Sequence, residues 1–177
     1  MRTIEIKAFQ FYELDIQTQE KVIEKNRTIN VDSDFWYEYE LDNYKNELKI
    51  KVNGFDIYGK MINITIEDSF ETAEKIIDFF GKEPTIVQTA KTFIKDRDSL
   101  VKKYGEGNEK EGYNVKQEYW SEYDEEIEYL EEEFRNEIAE EILSFLTRQY
   151  EYEISDDAIK ETIIVNEYEF TQEGELI

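Results

Sequence analysis

The feature that most constrains the fold is an apolar stripe within the most acidic segment of the chain. Apolar side chains recur there at steps of three and four residues, which is the spacing of one face of an α-helix. The stripe consists of Ile127, Leu130, Phe134, Ile138, Ile142 and Phe145. Most of the stability of such a helix comes from packing, so we expect a long helix over residues 122–150 that docks on a folded core.

Shorter periodic segments surround this helix. Helices are predicted over residues 16–26, 34–48, 69–80, 85–104 and 156–165, strands over residues 3–9 and 113–119, a loop over residues 105–112, and an extended end over residues 166–177. The segment 55–67 predicts a β-hairpin with Ile62, Ile64 and Ile66 on one face. The sequence therefore predicts an α+β fold, with helices packed on a small antiparallel sheet, in a single domain over residues 1–177.

Local signals predict where helices begin and end and which sides they bury. The expected N-caps are Asp15, Asp32 or Ser33, and Ser155. Ser69 is expected to start the helix at 69–80, and Gly81 to end it. The first helix has an expected apolar side that includes Ile16, Val22 and Ile23, and the second has a stripe of Phe35, Trp36, Tyr39, Tyr44 and Leu48.

Charge is distributed unevenly along the chain. The formal net charge is -23, from 44 acids and 21 bases. Residues 118–177 hold 21 acids and three bases, a net charge of -18, whereas residues 1–117 are close to balanced at -5. A field of this sign repels nucleic acid and anionic membranes and steers the protein toward basic partners.

Missing residue types restrict the chemistry. The chain has no His and no Cys, which excludes Ser-His and Cys-His nucleophiles, thiolate zinc sites and disulfides. The sequence has no segment of 18 consecutive apolar residues and no basic-then-apolar N-terminal stretch. We therefore expect a cytoplasmic protein with no catalytic residues, no cofactor and no metal site.

The acidic helix carries more negative charge than solubility requires. Like charges stand four residues apart at Glu122–Glu126, Asp124–Glu128, Glu128–Glu132, Glu133–Glu137 and Glu137–Glu141, and only Glu131–Arg135 opposes them. Such pairs destabilise a helix, and lysine at a few of these positions would remove the repulsion. One interpretation is a merely solvated face. The other is a surface built to meet concentrated positive charge, with its carboxylates in place of phosphates.

The second interpretation gives a set of expected partner-binding residues. They are Trp120, Glu122, Tyr123, Asp124, Glu125, Glu126, Glu128, Tyr129, Glu131, Glu132, Glu133, Glu137, Glu140 and Glu141. The aromatic members would supply the amphipathic anchors that interface centres favour, together with Tyr119. The expected partner is a basic nucleic-acid-binding protein, and the chain itself is expected to bind neither nucleic acid nor membrane.

Both ends of the chain resemble a group of small phage and prophage proteins, some of which carry an antitoxin-like label. The resemblance lies in "FQFYELDIQTQEKVIEKNR" and "WYEYELDNYKNEL" near the start, and in "EYEISDDAIKETIIVNEYEFTQEGE" at the end. A Gln-Gly-Asp-Gly-Ala-type stretch is usual in the middle of that group. The corresponding region here, "MINITIEDSFETAEKIIDFF", lacks it, so no functional residue is transferred.

A phage setting implies a class of function. In size, charge and lack of catalytic groups the chain is similar to phage-encoded inhibitors of host defence nucleases, such as anti-CRISPR and anti-restriction proteins. This similarity implies an inhibitor acting by nucleic-acid mimicry in the bacterial cytoplasm, with a Cas9-like effector as the specific target. The alternatives are an antitoxin that neutralises a basic toxin, and a Mg²⁺-dependent nuclease or a factor that promotes cleavage of a guide RNA.

Overall fold

The computed structural model describes residues 7–81, 84–105 and 119–177. The predicted α+β class is confirmed: within these residues six α-helices accompany two small antiparallel sheets of two strands each. The chain divides into two compact units, one formed by residues 1–38 with 147–177 and the other by residues 39–146. The expectation of one domain stays a prediction.

The first unit contains a two-stranded sheet and two helices. Its strands are β1 (Phe9–Gln10) and β4 (Glu169–Phe170), and its helices are α1 (Ile16–Lys25) and α6 (Asp156–Val165). A short 3-10 turn, Phe11–Glu13, follows β1. The core of this unit is formed by Phe11, Leu14, Val22, Ile23, Ile159, Ile163 and Phe170. Burial of these side chains from both ends of the chain holds the unit together.

Capping residues fix where the helices of the first unit begin. The Asp15 carboxylate accepts a hydrogen bond from the Thr18 backbone N–H at 2.9 Å, and the Ser155 hydroxyl accepts one from Ala158 at 3.3 Å. Both predicted N-caps are therefore confirmed. Arg27 donates to the Ile154 carbonyl at 3.1 Å and to the Asp156 carboxylate, which ties the end of α1 to the start of α6.

The second unit contains a β-hairpin and helices on either side of it in sequence. The predicted hairpin is present, but its first strand begins five residues before the predicted start at residue 55. Its strands are β2 (Ile50–Asp56) and β3 (Met61–Ile66), which pair antiparallel from Ile50 opposite Ile66. Helices α3 (Ser69–Phe80) and α4 (Thr85–Tyr104) follow, as predicted. Gly81 ends α3 with φ 71°, a conformation that glycine adopts without a steric penalty.

Most of α2 (Phe35–Glu47) and most of the long acidic helix α5 (Trp120–Glu153) belong to the second unit. In α5 the fully buried side chains are Phe134, Ile138, Ile142 and Leu146. The predicted stripe is thus confirmed in its centre. Ile127, Leu130 and Phe145 are only half-buried, and Leu146 is buried where Phe145 was expected.

Helix α3 begins at Ser69 as predicted, and its cap is Asp68, whose carboxylate accepts from the Glu71 N–H at 2.8 Å. The predicted cap of α2 was wrong. At the start of α2, neither Asp32 nor Ser33 holds the capping position. There the Asp34 carbonyl accepts from Tyr37 and Glu38 instead.

Three residues expected to be buried are exposed. Phe35 and Tyr39 are 80% and 72% exposed, because at ~100° per residue they lie on the side of α2 away from the buried Tyr44. Ile16 is 74% exposed, because it is the first residue of α1 and lies beyond the covered part of the helix.

Some predicted elements lie wholly or mostly outside the described residues. The strand at 3–9 overlaps the described part of the chain only in its last three residues, and β1 begins at Phe9. The loop at 105–112 and the strand at 113–119 fall almost entirely in residues 106–118, which the structure does not describe.

The C-terminal turn depends on one glycine. Gly174 has φ 82°, and a Cβ added there would lie 2.9 Å from Val22 Cγ2 and 3.0 Å from Thr18 Cγ2. We expect Gly174→Ala to destabilise the protein by about 1–2 kcal/mol or more, because a left-handed conformation costs an L-residue roughly that much before any clash. Chemical denaturation measures the effect.

Gly54→Ala is the matched control for that substitution. A Cβ at Gly54 meets no atom within 4 Å, so the free energy of unfolding should change little. Equal effects of the two substitutions would contradict the account of the turn.

Candidate partner-binding surface

The acids of α5 lie on the sides of the helix that the core leaves uncovered. Of the eleven acids from Glu122 to Glu141, eight are exposed and three are half-buried. The half-buried ones are Glu126, Glu131 and Glu141. At ~100° per residue the acids spread around most of the helix circumference, excluding the arc centred on Phe134 and Ile138. The surface is therefore the whole uncovered part of one helix, which is called here the acidic side of α5.

All fourteen residues expected at the partner-binding surface belong to this single helix, α5. The exposed members are Trp120, Glu122, Asp124, Glu125, Glu128, Tyr129, Glu132, Glu133, Glu137 and Glu140. The half-buried members are Tyr123, Glu126, Glu131 and Glu141. One continuous helix thus brings together the whole expected set, and four of its members are less accessible than the rest.

The aromatic residues of the set differ in exposure. Tyr129 is 67% exposed and Trp120 54% exposed, so both offer ring surface to a partner. Tyr123 is half-buried, and its ring meets the Tyr104 ring edge-on with centroids 6.1 Å apart. Tyr123 therefore serves the packing of α4 on α5, which leaves Tyr129 and Trp120 as the stronger anchor candidates.

One acid of the set is neutralised by the chain's own lysine. The Lys103 ammonium lies 2.6 Å from Glu126 Oε1 and 2.9 Å from Oε2, and the Tyr104 hydroxyl donates to Oε1 at 2.7 Å. The hydrogen bond from Lys103, followed by that from Tyr104, lowers the pKa of Glu126. The same bond to Glu126 raises the pKa of Lys103. Glu126 is thus held within the molecule and is less available to a partner.

The other ten acids from Glu122 to Glu141 form no salt bridge within residues 7–81, 84–105 and 119–177. Arg97 on α4 is a second source of positive charge near the helix. Its guanidinium lies 4.0 Å from the centre of the Phe70 ring, and burial lowers its pKa, opposed in part by the charges of Tyr123, Asp98, Asp68 and Glu131. Most of the negative charge on α5 therefore remains uncompensated by ion pairs in the described part of the chain.

A groove of about 650 Å³ lies between α4 and α5. The two helices run antiparallel, since Phe93 stacks on Phe134 at 4.4 Å while Tyr104 meets Tyr123. The groove is lined by Tyr129, Leu130 and four glutamates of α5, and by Asp96, Ser99 and Leu100 of α4. The three α4 residues of the groove were not predicted, because the sequence does not indicate which side of α4 faces α5.

Comparison with known proteins found no match among protein families, curated proteins or solved structures. In the described ranges, no group of three or more Asp or Glu residues is arranged to hold a metal ion. No helix among those residues is long and apolar enough to cross a membrane.

The Lys103–Glu126 pair predicts a measurable titration. We expect Lys103→Met to raise the pKa of Glu126, because the ammonium that favours its charged form is removed. NMR titration of the Glu126 side-chain carboxyl carbon measures the change. Because the folded-state pKa of Glu126 is lowered, the pair stabilises the protein above the ordinary glutamate pKa. That stability is lost as pH falls through the lowered value, and K103M should lose the part of this dependence that Lys103 causes.

Lys102→Met provides the control, since it removes the same charge from the neighbouring, exposed position of α4. It should move the Glu126 titration much less than Lys103→Met. An unchanged titration in K103M would show that the ion pair does not form in solution.

Proposed function

We propose that this protein inhibits a nucleic-acid-binding protein by placing the acidic side of α5 in that protein's basic channel. The observation that carries the proposal is the set of ten α5 acids without a salt bridge within the described residues. Because these acids form no salt bridges among the described residues, few internal ion pairs have to break when they bind lysines and arginines of a partner. The partner in turn exchanges phosphate contacts for carboxylate contacts.

The charge spacing on α5 is comparable to that of a nucleic acid. Ten acids occupy residues 124–141, and at ~1.5 Å per residue that stretch is about 27 Å long. The mean spacing is about one charge per 2.7 Å, between the ~1.7 Å of a DNA duplex and the ~3.4 Å of one strand. A channel lined to bind a phosphate backbone would therefore meet charge of similar density.

The burial of α5 supports inhibition by a preformed surface. Phe134, Ile138 and Ile142 are buried, so this part of the helix is held in place before a partner arrives. Binding then does not require the helix to fold, which reduces the entropic cost of association. Exposed Trp120 and Tyr129 can add apolar contacts that pure charge lacks and can set the register of the complex.

The resemblance to phage proteins supports a more specific target. We propose a Cas9-like defence nuclease in the cytoplasm of a bacterial host. A guide-and-target heteroduplex is bound there in a positively charged channel that recognises backbone geometry. An antitoxin acting on a basic toxin would use the same acidic surface, so the identity of the captured partner separates these two functions.

Charge reversal on α5 tests the proposal. We expect the triple variant Glu125→Lys, Glu128→Lys, Glu132→Lys to weaken inhibition of DNA cleavage by a Cas9-type nuclease at least about tenfold, because attraction becomes repulsion. The measurement is the inhibitor concentration that halves cleavage, with circular dichroism to verify retained helicity.

The matched control reverses three exposed acids of the same unit that lie outside α5, with Glu47→Lys, Glu74→Lys and Asp78→Lys. The overall charge changes equally, but inhibition should be largely retained. Equal loss in both triples would contradict a specific role of α5. If the unaltered protein does not inhibit, the Cas9-like target is wrong.

A further inference from the structure

The α4–α5 groove combines an apolar strip with a rim of carboxylates. Leu100 and Leu130 line it together with Tyr129, whose side chain is two-thirds exposed. Along α5 it extends from Glu122 to Glu133, which at ~1.5 Å per residue is about 16 Å. This length corresponds to roughly five residues of extended peptide. The groove therefore has the size of a short peptide segment and suits an apolar stem with a cationic end.

Within the described residues, Lys103 is the one base that forms a salt bridge with a rim carboxylate. Glu126 is held by that lysine, whereas Asp96, Glu122, Glu125 and Glu133 form no salt bridge with any residue that the structure describes. These like charges line one groove, so a cation that enters the groove is attracted by several carboxylates at once.

The chain itself shows two contacts of the kind that such a cation would make. Lys103 lies 4.5 Å from the centre of the Tyr104 ring while its ammonium binds Glu126 at the edge of the groove. Arg97 places its guanidinium 4.0 Å from the centre of the Phe70 ring. A ring and a carboxylate thus already hold Lys103 between α4 and α5, and a ring of α3 holds Arg97.

We propose that the α4–α5 groove receives an arginine-bearing segment of the basic partner. The guanidinium stacks on Tyr129 between the rim carboxylates, and the aliphatic stem lies against Leu100 and Leu130. This inference rests on the proposed function and adds to it a defined contact site. The rest of α5 contributes a diffuse field, whereas the groove provides shape and chemical selectivity.

The groove should prefer arginine to lysine. A guanidinium is planar, is weakly hydrated, stacks on aromatic rings and binds carboxylates with two parallel hydrogen bonds. An ammonium is a strongly hydrated point charge and gains less from Tyr129. A purely electrostatic surface, in contrast, binds arginine and lysine with nearly equal affinity. A preference for arginine therefore distinguishes binding in the groove from diffuse electrostatic binding.

The test is calorimetric titration of the full chain with nona-arginine and nona-lysine peptides. We expect nona-arginine to bind about fivefold more tightly. Tyr129→Leu, which keeps the groove apolar, should remove this preference.

A pair of charge-matched variants locates the binding. One neutralises the groove side of α5 with Glu122→Gln, Glu125→Gln and Glu133→Gln. The other neutralises three exposed acids of α5 that do not line the groove, with Asp124→Asn, Glu128→Gln and Glu132→Gln. The groove variant should weaken nona-arginine binding about tenfold and the other variant about twofold, since only the former loses the carboxylates next to Tyr129.

A second pair of variants tests the groove from the α4 wall and leaves every carboxylate in place. Ser99→Lys puts an ammonium into the groove, whereas Thr92→Lys adds the same charge at an exposed α4 position that does not line it. Only Ser99→Lys should weaken nona-arginine binding strongly. Equal effects within either pair, or no preference for arginine, would overturn the groove as a contact site and leave the diffuse electrostatic function standing. Binding of neither peptide would contradict both proposals.

Discussion

Burial of one side of α5 is the interaction on which the rest of the structure depends. Phe134, Ile138 and Ile142 have no exposed surface or almost none, so their removal from water holds the helix against its unit. Because a helix turns by ~100° per residue, fixing this side also fixes where every acid of α5 lies. Without that anchoring, repulsion among acids four residues apart would favour an unfolded acidic segment.

Among the described residues, few of the acids on α5 are paired with a base. Lys103 neutralises Glu126, and Arg97 is engaged with the Phe70 ring. The other ten acids from Glu122 to Glu141 form no salt bridge among the described residues. Self-repulsion among like charges four residues apart reduces the stability of the free protein. The packing of α4 beside α5 adds a groove, so a uniform anionic surface acquires one place with a defined shape.

Much of the secondary structure could be predicted from local patterns. The limits of α4 follow from Pro84 and from apolar periodicity. The N-caps Asp15 and Ser155 follow from side chains that accept backbone hydrogen bonds. The exposure of Phe35 and Tyr39 does not follow from composition, because aromatic residues occur around most of α2 and these two cannot share one side of the helix with Tyr44. Composition alone does not decide which side a helix buries.

The candidate site was predictable only in part. All of its α5 residues follow from charge density along one segment. The groove depends on the pairing of Tyr104 with Tyr123 and of Phe93 with Phe134, which brings Asp96 and Leu100 to α5 across 20 or more intervening residues. No local pattern encodes that pairing. The ion pair between Lys103 and Glu126 is likewise a tertiary contact, which cannot be predicted from the number of charges in the sequence.

The central claim is that the acidic side of α5 and a nucleic acid compete for the same basic surface. The most direct test measures binding of a labelled duplex to the Cas9-type nuclease at increasing concentrations of this protein and at two salt concentrations. The account predicts mutually exclusive binding and an affinity of this protein for the nuclease that falls as salt rises. A stable ternary complex, or an affinity that does not depend on salt, would contradict it.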